Sequence, residues 1–273
     1  MRKALASVLI LSLLNGCAHQ SRMITDSSRY STVETQLGEA IHRQIVASLS
    51  IYQGELLNHY VQSIGQKLAR VSNRKNLAYR FVILEDDRIY ATHAPGGYVY
   101  ITTGFFRFLA NEIELAGILA HEVALLQYKD PRLSKMKKAL ELMLQTGSQI
   151  GPAFGTIGAL SVLGLALITY MTTTPKTLER RTREADRSAL RYMVESGFDP
   201  QGLIDPLHRM RDSNSPYRAY LYDYLQSHPI TSQRFKRLDQ EFSKLPLSNG
   251  RFDAGRNVYL LMTESARSTY VRK

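Results

Sequence analysis

Apolar residues recur every three or four positions over residues 33–69, a pattern that predicts two amphipathic helices separated by a break near residues 52–54. Alternating and continuous apolar residues over 79–84 predict a strand. The stretch RIYATHAPGGYVYITTGFF (88–106) carries two more strand-like pieces on either side of Pro95-Gly96-Gly97. The first part of the chain therefore predicts a helical pair followed by a small sheet.

A strongly apolar helix is expected to follow from Phe105 to about Gln127, because Asp130-Pro131 disfavours helical geometry just beyond it. The remaining periodic segments predict further helices at 133–147, 176–196, 201–212 and 229–243. No internal repeat or low-complexity linker divides the chain. The pattern as a whole predicts one mostly helical α+β domain.

The N-terminus has the pattern of a secretory signal, with Arg2 and Lys3 before an apolar run over residues 4–14. The following Leu-Asn-Gly-Cys resembles a bacterial lipobox that ends at Cys17, which is the only cysteine of the chain. We therefore expect a lipoprotein signal peptide at 1–16 and lipidation of Cys17. Ala18 is typical of sorting to the outer membrane, with the protein facing the periplasm. An ordinary signal peptide with an incidental thiol is the alternative.

Residues 150–171 contain no charged side chain, and their length would span a bilayer. Four glycines and Pro152 weaken a single straight helix in water, so a buried hairpin and a membrane-facing flap are the alternatives. The net charge of +11 suits an anchored protein that lies beside anionic lipid headgroups. No basic run is combined with an aromatic platform, so nucleic acid is not an expected partner.

The predicted helix at 105–127 contains the sequence AHEVALLQ, which begins like the zinc-peptidase motif HExxH. In that motif two histidines four residues apart aim at one metal ion from the same helix face. The glutamate beside the first histidine polarises the metal-bound water. Here His121 and Glu122 are present, but Leu125 stands at the position of the second histidine and has no lone pair to donate.

Four segments occur together in the order and spacing of one family: IYATHAPGGYVYITTGFF, ELAGILAHEVALL, RTREADRSALRYMVESGFDP and HPITSQRFKRL. They resemble the zinc metallopeptidases of the HtpX/BepA and CAAX prenyl endopeptidase type, over residues 35–245. The resemblance implies a gluzincin-like α+β fold, mostly helical, with a small β-sheet bordering a cleft. The expected organisation is a signal peptide at 1–16, a linker at 17–32, a metallopeptidase-like domain at 33–250 with the apolar insert 150–171, and a C-terminal tail at 251–273.

The resemblance also implies roles for individual residues. The family pattern Glu-x-Glu-Ala-Asp places Thr182 at the position of the third zinc ligand and Asp186 behind the ligands, with Glu179 as the only nearby carboxylate on roughly the same helix face. His228 is expected beside the metal, where it and Glu122 are the catalytic candidates, and His121 is a remnant metal ligand. His93 is either a stray ligand or, as we expect, a partly exposed strand histidine. The strand that would bind substrate carries Pro95, Gly96, Gly97 and Tyr98.

Two functions follow from this set of retained and lost residues. The first is an outer-membrane lipoprotein that has lost catalysis and binds unfolded or outer-membrane polypeptides in envelope protein quality control. The second is an active zinc endopeptidase, in which His121 and His228 bind the metal with Glu179 or Asp186 as substitute ligands. Zinc is the cofactor that the family resemblance implies, and only the second function requires that it binds. The loss of ligands at Leu125 and Thr182 favours the first, because each lost ligand removes part of the binding free energy.

Overall fold

The computed structural model describes residues 32–127, 175–212, 214–246 and 254–268. The expectations for the signal peptide, Cys17, the linker up to residue 31, the helix at 133–147 and the apolar insert 150–171 lie outside these residues.

The described residues form nine α-helices and one three-stranded sheet. The helices are α1 (Thr32–Ser48), α2 (Glu55–Val71), α3 (Thr103–Phe108), α4 (Glu112–Leu125), α5 (Pro175–Glu195), α6 (Gln201–Arg211), α7 (Tyr222–Ser227), α8 (Ser232–Phe242) and α9 (Arg256–Ser268). The strands are β1 (Arg80–Leu84), β2 (Ala91–Ala94) and β3 (Tyr98–Thr102). The expected α+β class, mostly helical with a small sheet, is confirmed. None of the described helices combines the length and apolar composition needed to cross a membrane.

Helix α4 is the centre of the core, since every residue from Ile113 to Leu125 is buried. A helix that is apolar on all sides needs neighbours all round, and α2, α5, α6 and the sheet supply them. Asn111 begins this helix by accepting a hydrogen bond from the amide of Glu114 at 3.0 Å. The carboxylate of Glu114 in turn accepts one from the amide of Ala110 at 2.7 Å.

The cap at Asn111 starts a new helix, and this makes one prediction wrong. The structure has two helices, α3 and α4, where the sequence predicted a single helix from Phe105 to Gln127. Helix α3 ends at Phe108, Leu109 is extended, and α4 starts only after Asn111. The apolar periodicity continues across the break and so hides it.

The C-terminal segment predicted as a tail contains α9, whose Tyr259 is fully buried and donates a hydrogen bond to the carbonyl of Phe106 at 2.8 Å.

The sheet has the order β1-β3-β2, with β1 parallel and β2 antiparallel to β3. Because side chains alternate along a strand, the register sorts them onto two faces. Val99 and Ile101 belong to the main core with α2 and α4, and their partners on β2 are His93 and Ala91. His93 therefore faces α4. Among the described residues, β2 is the edge of the sheet on that side.

Helix α1 covers the other face of the sheet. Its Leu37 and Ile41 form a second, smaller core with Tyr98, Tyr100 and neighbouring apolar side chains. Gly38 lets the helix approach the turn at 95–97 closely, because a Cβ atom on it would lie 2.0 Å from the carbonyl oxygen of Pro95. Gly96 and Gly97 in that turn have φ values of 77° and 93°, which favour glycine. The Pro-Gly-Gly segment is thus a tight turn packed beneath α1.

Candidate functional site

The remnant of the HExxH motif lies on α4 in the middle of the core. His121 and Glu122 are both completely buried, and Leu125 follows one turn after His121 with 6% exposure. Helix α5 packs along α4 and carries Thr182 and Asp186, which are four residues apart and therefore share a face. Both are 4% exposed. The two helices bring the predicted metal-site positions together.

His121 is oriented by a carboxylate from α5. Its Nδ1 lies 2.9 Å from Oδ1 of Asp186, at ion-pair distance although the two groups are not aligned as a good hydrogen bond. Asp186 also accepts two hydrogen bonds, each 2.8 Å long, from Nε and Nη2 of Arg234 on α8. Burial raises the pKa of Asp186, but Arg234 and His121 outweigh it and hold that pKa at about 2. Burial lowers the pKa of His121, which favours the neutral ring. The carboxylate of Asp186 beside Nδ1 favours the tautomer with its proton on Nδ1 and its lone pair on Nε2.

Glu122 lies between two histidines. Its Oε2 is hydrogen-bonded to Nδ1 of His93 at 2.9 Å, and its Oε1 lies 3.0 Å from Nε2 of His228, again without good hydrogen-bond alignment. Burial alone would raise the pKa of Glu122, but His228 and then His93 lower that pKa well below its ordinary value. Glu122 is therefore a buried, ionised carboxylate. His93 is a strand histidine with 11% of its side chain accessible, and its contact with Glu122 was not expected.

His228 follows α7 and is held from two directions. Its ring stacks on Tyr224 with the ring centroids 4.2 Å apart, and its Nδ1 lies 2.9 Å from Oγ of Ser227. The centroid of the His121 ring lies 5.3 Å away in an edge-to-face arrangement. The structure thus brings His121, Glu122, Asp186 and His228 into one buried cluster. The sequence did not predict that His93 would join them.

A zinc site needs three protein ligands around one point. Of the three positions that the family pattern gives to ligands, only His121 has a side chain suited to zinc. Leu125 has no donor, and Thr182 offers a neutral hydroxyl. Nε2 of His121 and Oγ1 of Thr182 are buried and have no hydrogen-bond partner among the described residues. Within the same residues, no group of three or more His, Cys, Asp or Glu side chains is arranged to hold a metal ion. The donor set does not fit a zinc site.

The carboxylates considered as substitute ligands are engaged elsewhere. Glu179 is half-exposed and pairs with Arg237 at 3.0 Å, on the surface between α5 and α8. Asp186 accepts two hydrogen bonds from Arg234. A crevice of about 300 Å³ between α5 and α8 reaches Asp186, and Glu122 and His93 are not among its lining residues.

The residues predicted to bind substrate occupy the turn beneath α1. Pro95, Gly96 and Gly97 are buried, and Tyr98 is 5% exposed. Tyr98 stacks on His42 of α1 with the ring centroids 4.7 Å apart. Strand β2 leads directly into this turn, and its residue Thr92 is half-buried. Of the strand and the turn, only the strand β2 lies beside Glu122, because β2 carries His93.

The sequence model of Peptidase family M48 matches residues 55–242. The chain is similar to proteins named beta-barrel assembly-enhancing protease, with 28% identity over 213 residues to that of Yersinia pestis and 26% over 212 residues to that of Escherichia coli K12. A protein of Vibrio cholerae named as a putative member of the same group is 25% identical over 209 residues. Each alignment covers 74% of this chain, which spans only about two fifths of the relatives' length.

Proposed function

Because the chain belongs to Peptidase family M48 but lacks donors suited to zinc at two of three ligand positions, we propose that it is a non-catalytic member that binds polypeptides. The observation that carries this proposal is the pair Leu125 and Thr182, buried on adjacent helices at the positions where the family pattern has ligands. One lost ligand weakens a metal site, and two lost ligands remove most of its free energy of binding.

The fold around the lost site supports a binding role. Asp186 and Arg234 still hold the ring of His121, and strand β2 still ends the sheet beside Glu122. An extended polypeptide can pair with such an edge through main-chain hydrogen bonds, which need no catalytic group. The binding edge would consist of β2, since the turn that follows it is buried beneath α1.

The location and the class of ligand follow from the relatives and from the N-terminus. The relatives' name refers to assembly of β-barrels, so we propose segments of unfolded or outer-membrane polypeptides as ligands. The lipobox-like sequence at Cys17 would anchor the protein at the outer membrane, facing the periplasm. Such a protein would act in envelope protein quality control by holding its clients rather than cutting them.

Metal content and proteolysis test the loss of catalysis. We expect the purified mature chain, after incubation with zinc and desalting, to retain well under one tenth of an equivalent. We also expect it to leave unfolded casein intact. The matched control is Glu122→Gln, which should behave identically in both assays. About one zinc per chain, with casein cleavage that EDTA and Glu122→Gln both abolish, would establish the active endopeptidase instead.

Photocrosslinking tests the binding role. A photoreactive amino acid at Thr92, on the edge strand, should capture an unfolded outer-membrane protein added to the mature chain. The same group at exposed Arg43, on the outer side of α1, is the matched control and should capture much less. Equal capture at both positions would mean that the sheet edge is not a binding site.

A further inference from the structure

The contact between His93 and Glu122 gives the edge strand a second role. His93 pairs with Val99 in the β2–β3 register, and Val99 belongs to the main core, so the strand directs the histidine inward toward α4. Its Nδ1 meets Oε2 of Glu122 at 2.9 Å. Neighbouring Thr92 pairs with Tyr100, which faces α1 instead. Only His93 on this strand is placed to reach Glu122.

The surroundings of the two Glu122 oxygens matter because a general base must contact the water that it activates. A carboxylate that activates water needs an oxygen within hydrogen-bond reach of that water. In Glu122, Oε2 is hydrogen-bonded to His93 and Oε1 faces His228 at 3.0 Å, and the side chain has no exposed surface. The carboxylate is therefore engaged by protein groups on both sides.

We propose that His93 is a positioning residue that holds Glu122 away from water, so that it is a third barrier to proteolysis besides Leu125 and Thr182. This inference rests on the proposed function, since it concerns why the site does not cut. A buried carboxylate raises the free energy of the folded state unless it is paired or hydrogen-bonded, and His93 supplies such a hydrogen bond. In this chain the rings of His93 and His228 lie beside the carboxylate, and of the two only His93 departs from the family pattern.

The inference predicts that replacing the lost ligands is not sufficient to restore proteolysis. Leu125→His with Thr182→Glu should take up about one zinc per chain, because Leu125 lies one turn after His121 and Thr182 is buried on the helix that packs against α4. The triple variant that adds His93→Val should take up the same amount. Cleavage of unfolded casein should be at least tenfold faster in the triple variant than in the double variant. Adding Glu122→Gln to the triple variant should abolish cleavage of casein.

The control for the third substitution is Val82→Thr, a change of similar size on β1, the strand at the other edge of the sheet, where residue 82 faces α1. Added to the double variant, it should leave the rate of casein cleavage unchanged. Cleavage by the double variant as fast as that by the triple variant would overturn the proposal for His93. Failure of both variants to bind zinc would instead count against the ligand positions on which the proposed function depends.

A thermodynamic cycle tests the same contact without any metal. The free energies of unfolding of wild type, His93→Val, Glu122→Met and the double variant give the coupling between the two side chains. We expect a favourable coupling of at least tenfold in the unfolding equilibrium constant, which is about 1.4 kcal/mol. Coupling of less than twofold would show that His93 does not hold Glu122, whatever the outcome of the zinc experiments.

Discussion

Asp186 accepts two hydrogen bonds from Arg234 and faces Nδ1 of His121 with the same carboxylate. Both members of the Asp186–Arg234 pair are almost fully buried, with 6% and 3% of their side chains exposed. The guanidinium fork matches the two carboxylate oxygens, which is the strongest geometry for such a pair. It cross-links α5 to α8 and leaves the ring of His121 oriented without a metal ion.

Asp186→Asn should be strongly destabilising, because it leaves the Arg234 guanidinium buried without an opposite charge. We expect a loss of about 3–5 kcal/mol in the free energy of unfolding, measured by urea denaturation. The matched control is Glu179→Gln, which removes the negative charge of another α5 carboxylate, the one that pairs with Arg237 on α8. That pair is half-exposed, so its loss should cost only about 0.2–1 kcal/mol. Similar costs for the two variants would contradict the buried pair.

The sequence identified most members of the site but not their contacts. His121, Glu122, Asp186 and His228 could be selected because their spacing and order resemble one family. The bond between His93 and Glu122 joins residues 29 positions apart. It depends on the register of β2 against β3, and a strand of four residues does not reveal its register in the sequence. The only available signal was a histidine where the family usually has an apolar residue.

At the scale of elements, the chain shows what periodicity can and cannot predict. The helices α2, α5, α6 and α8 lie within a few residues of their predicted bounds, because each has one apolar face. Helix α4 is buried on all sides, so periodicity did not show where it begins within the apolar stretch from residue 105 to 127. The sign that the sequence did carry is the cap residue Asn111 with Glu114 three residues later. The approach of α1 to the turn at 95–97 was equally hidden, since it depends on the missing side chain of Gly38.

Gly38→Ala tests the packing of α1, because the sign of the change in the free energy of unfolding distinguishes a close contact from an open helix surface. In an open helix, alanine is more favourable than glycine by up to about 1 kcal/mol. Here the new methyl group would overlap the carbonyl of Pro95, so we expect a loss of about 1–3 kcal/mol. Amide hydrogen exchange should rise selectively in α1. The control is Gln44→Ala on the exposed side of the helix, which should change stability by less than about 0.5 kcal/mol. A stabilised Gly38→Ala would refute the close contact.

At the scale of the whole molecule, charge and the N-terminal sequence suggest where the domain works. The full sequence has a net charge of +11, and about +9 would remain without Arg2 and Lys3 of the predicted signal peptide, which would favour a position close to an anionic lipid surface. Lipidation at Cys17 would keep the domain there, because several acyl chains anchor a protein stably while a single one binds only marginally. The order of motifs along the chain was sufficient to predict the fold class, because the family's helices and sheet follow one another in a fixed order.

Cys17→Ser tests the anchor, because it removes the only thiol that could accept lipid. We expect the full-length protein to incorporate labelled palmitate and to sediment with the outer membrane. The serine variant should incorporate none and should leave the membrane fraction. Ala18→Ser is the matched control and should remain lipidated. A serine variant that stays with the membrane after salt and urea washes would mean that another segment anchors the protein.

The position of α1 also has a consequence for how the protein is made. Among the residues that the structure describes, the partners that hold this helix come later in the chain: Glu34 pairs with Arg74, and Leu37 and Ile41 pack on Tyr98 and Tyr100. At about 5–20 residues per second, the ribosome completes the sheet roughly several seconds after it has made α1. An isolated helix of 17 residues is only marginally stable in water. The first described helix to be synthesised must therefore wait, with its apolar face uncovered, for its binding site to be translated.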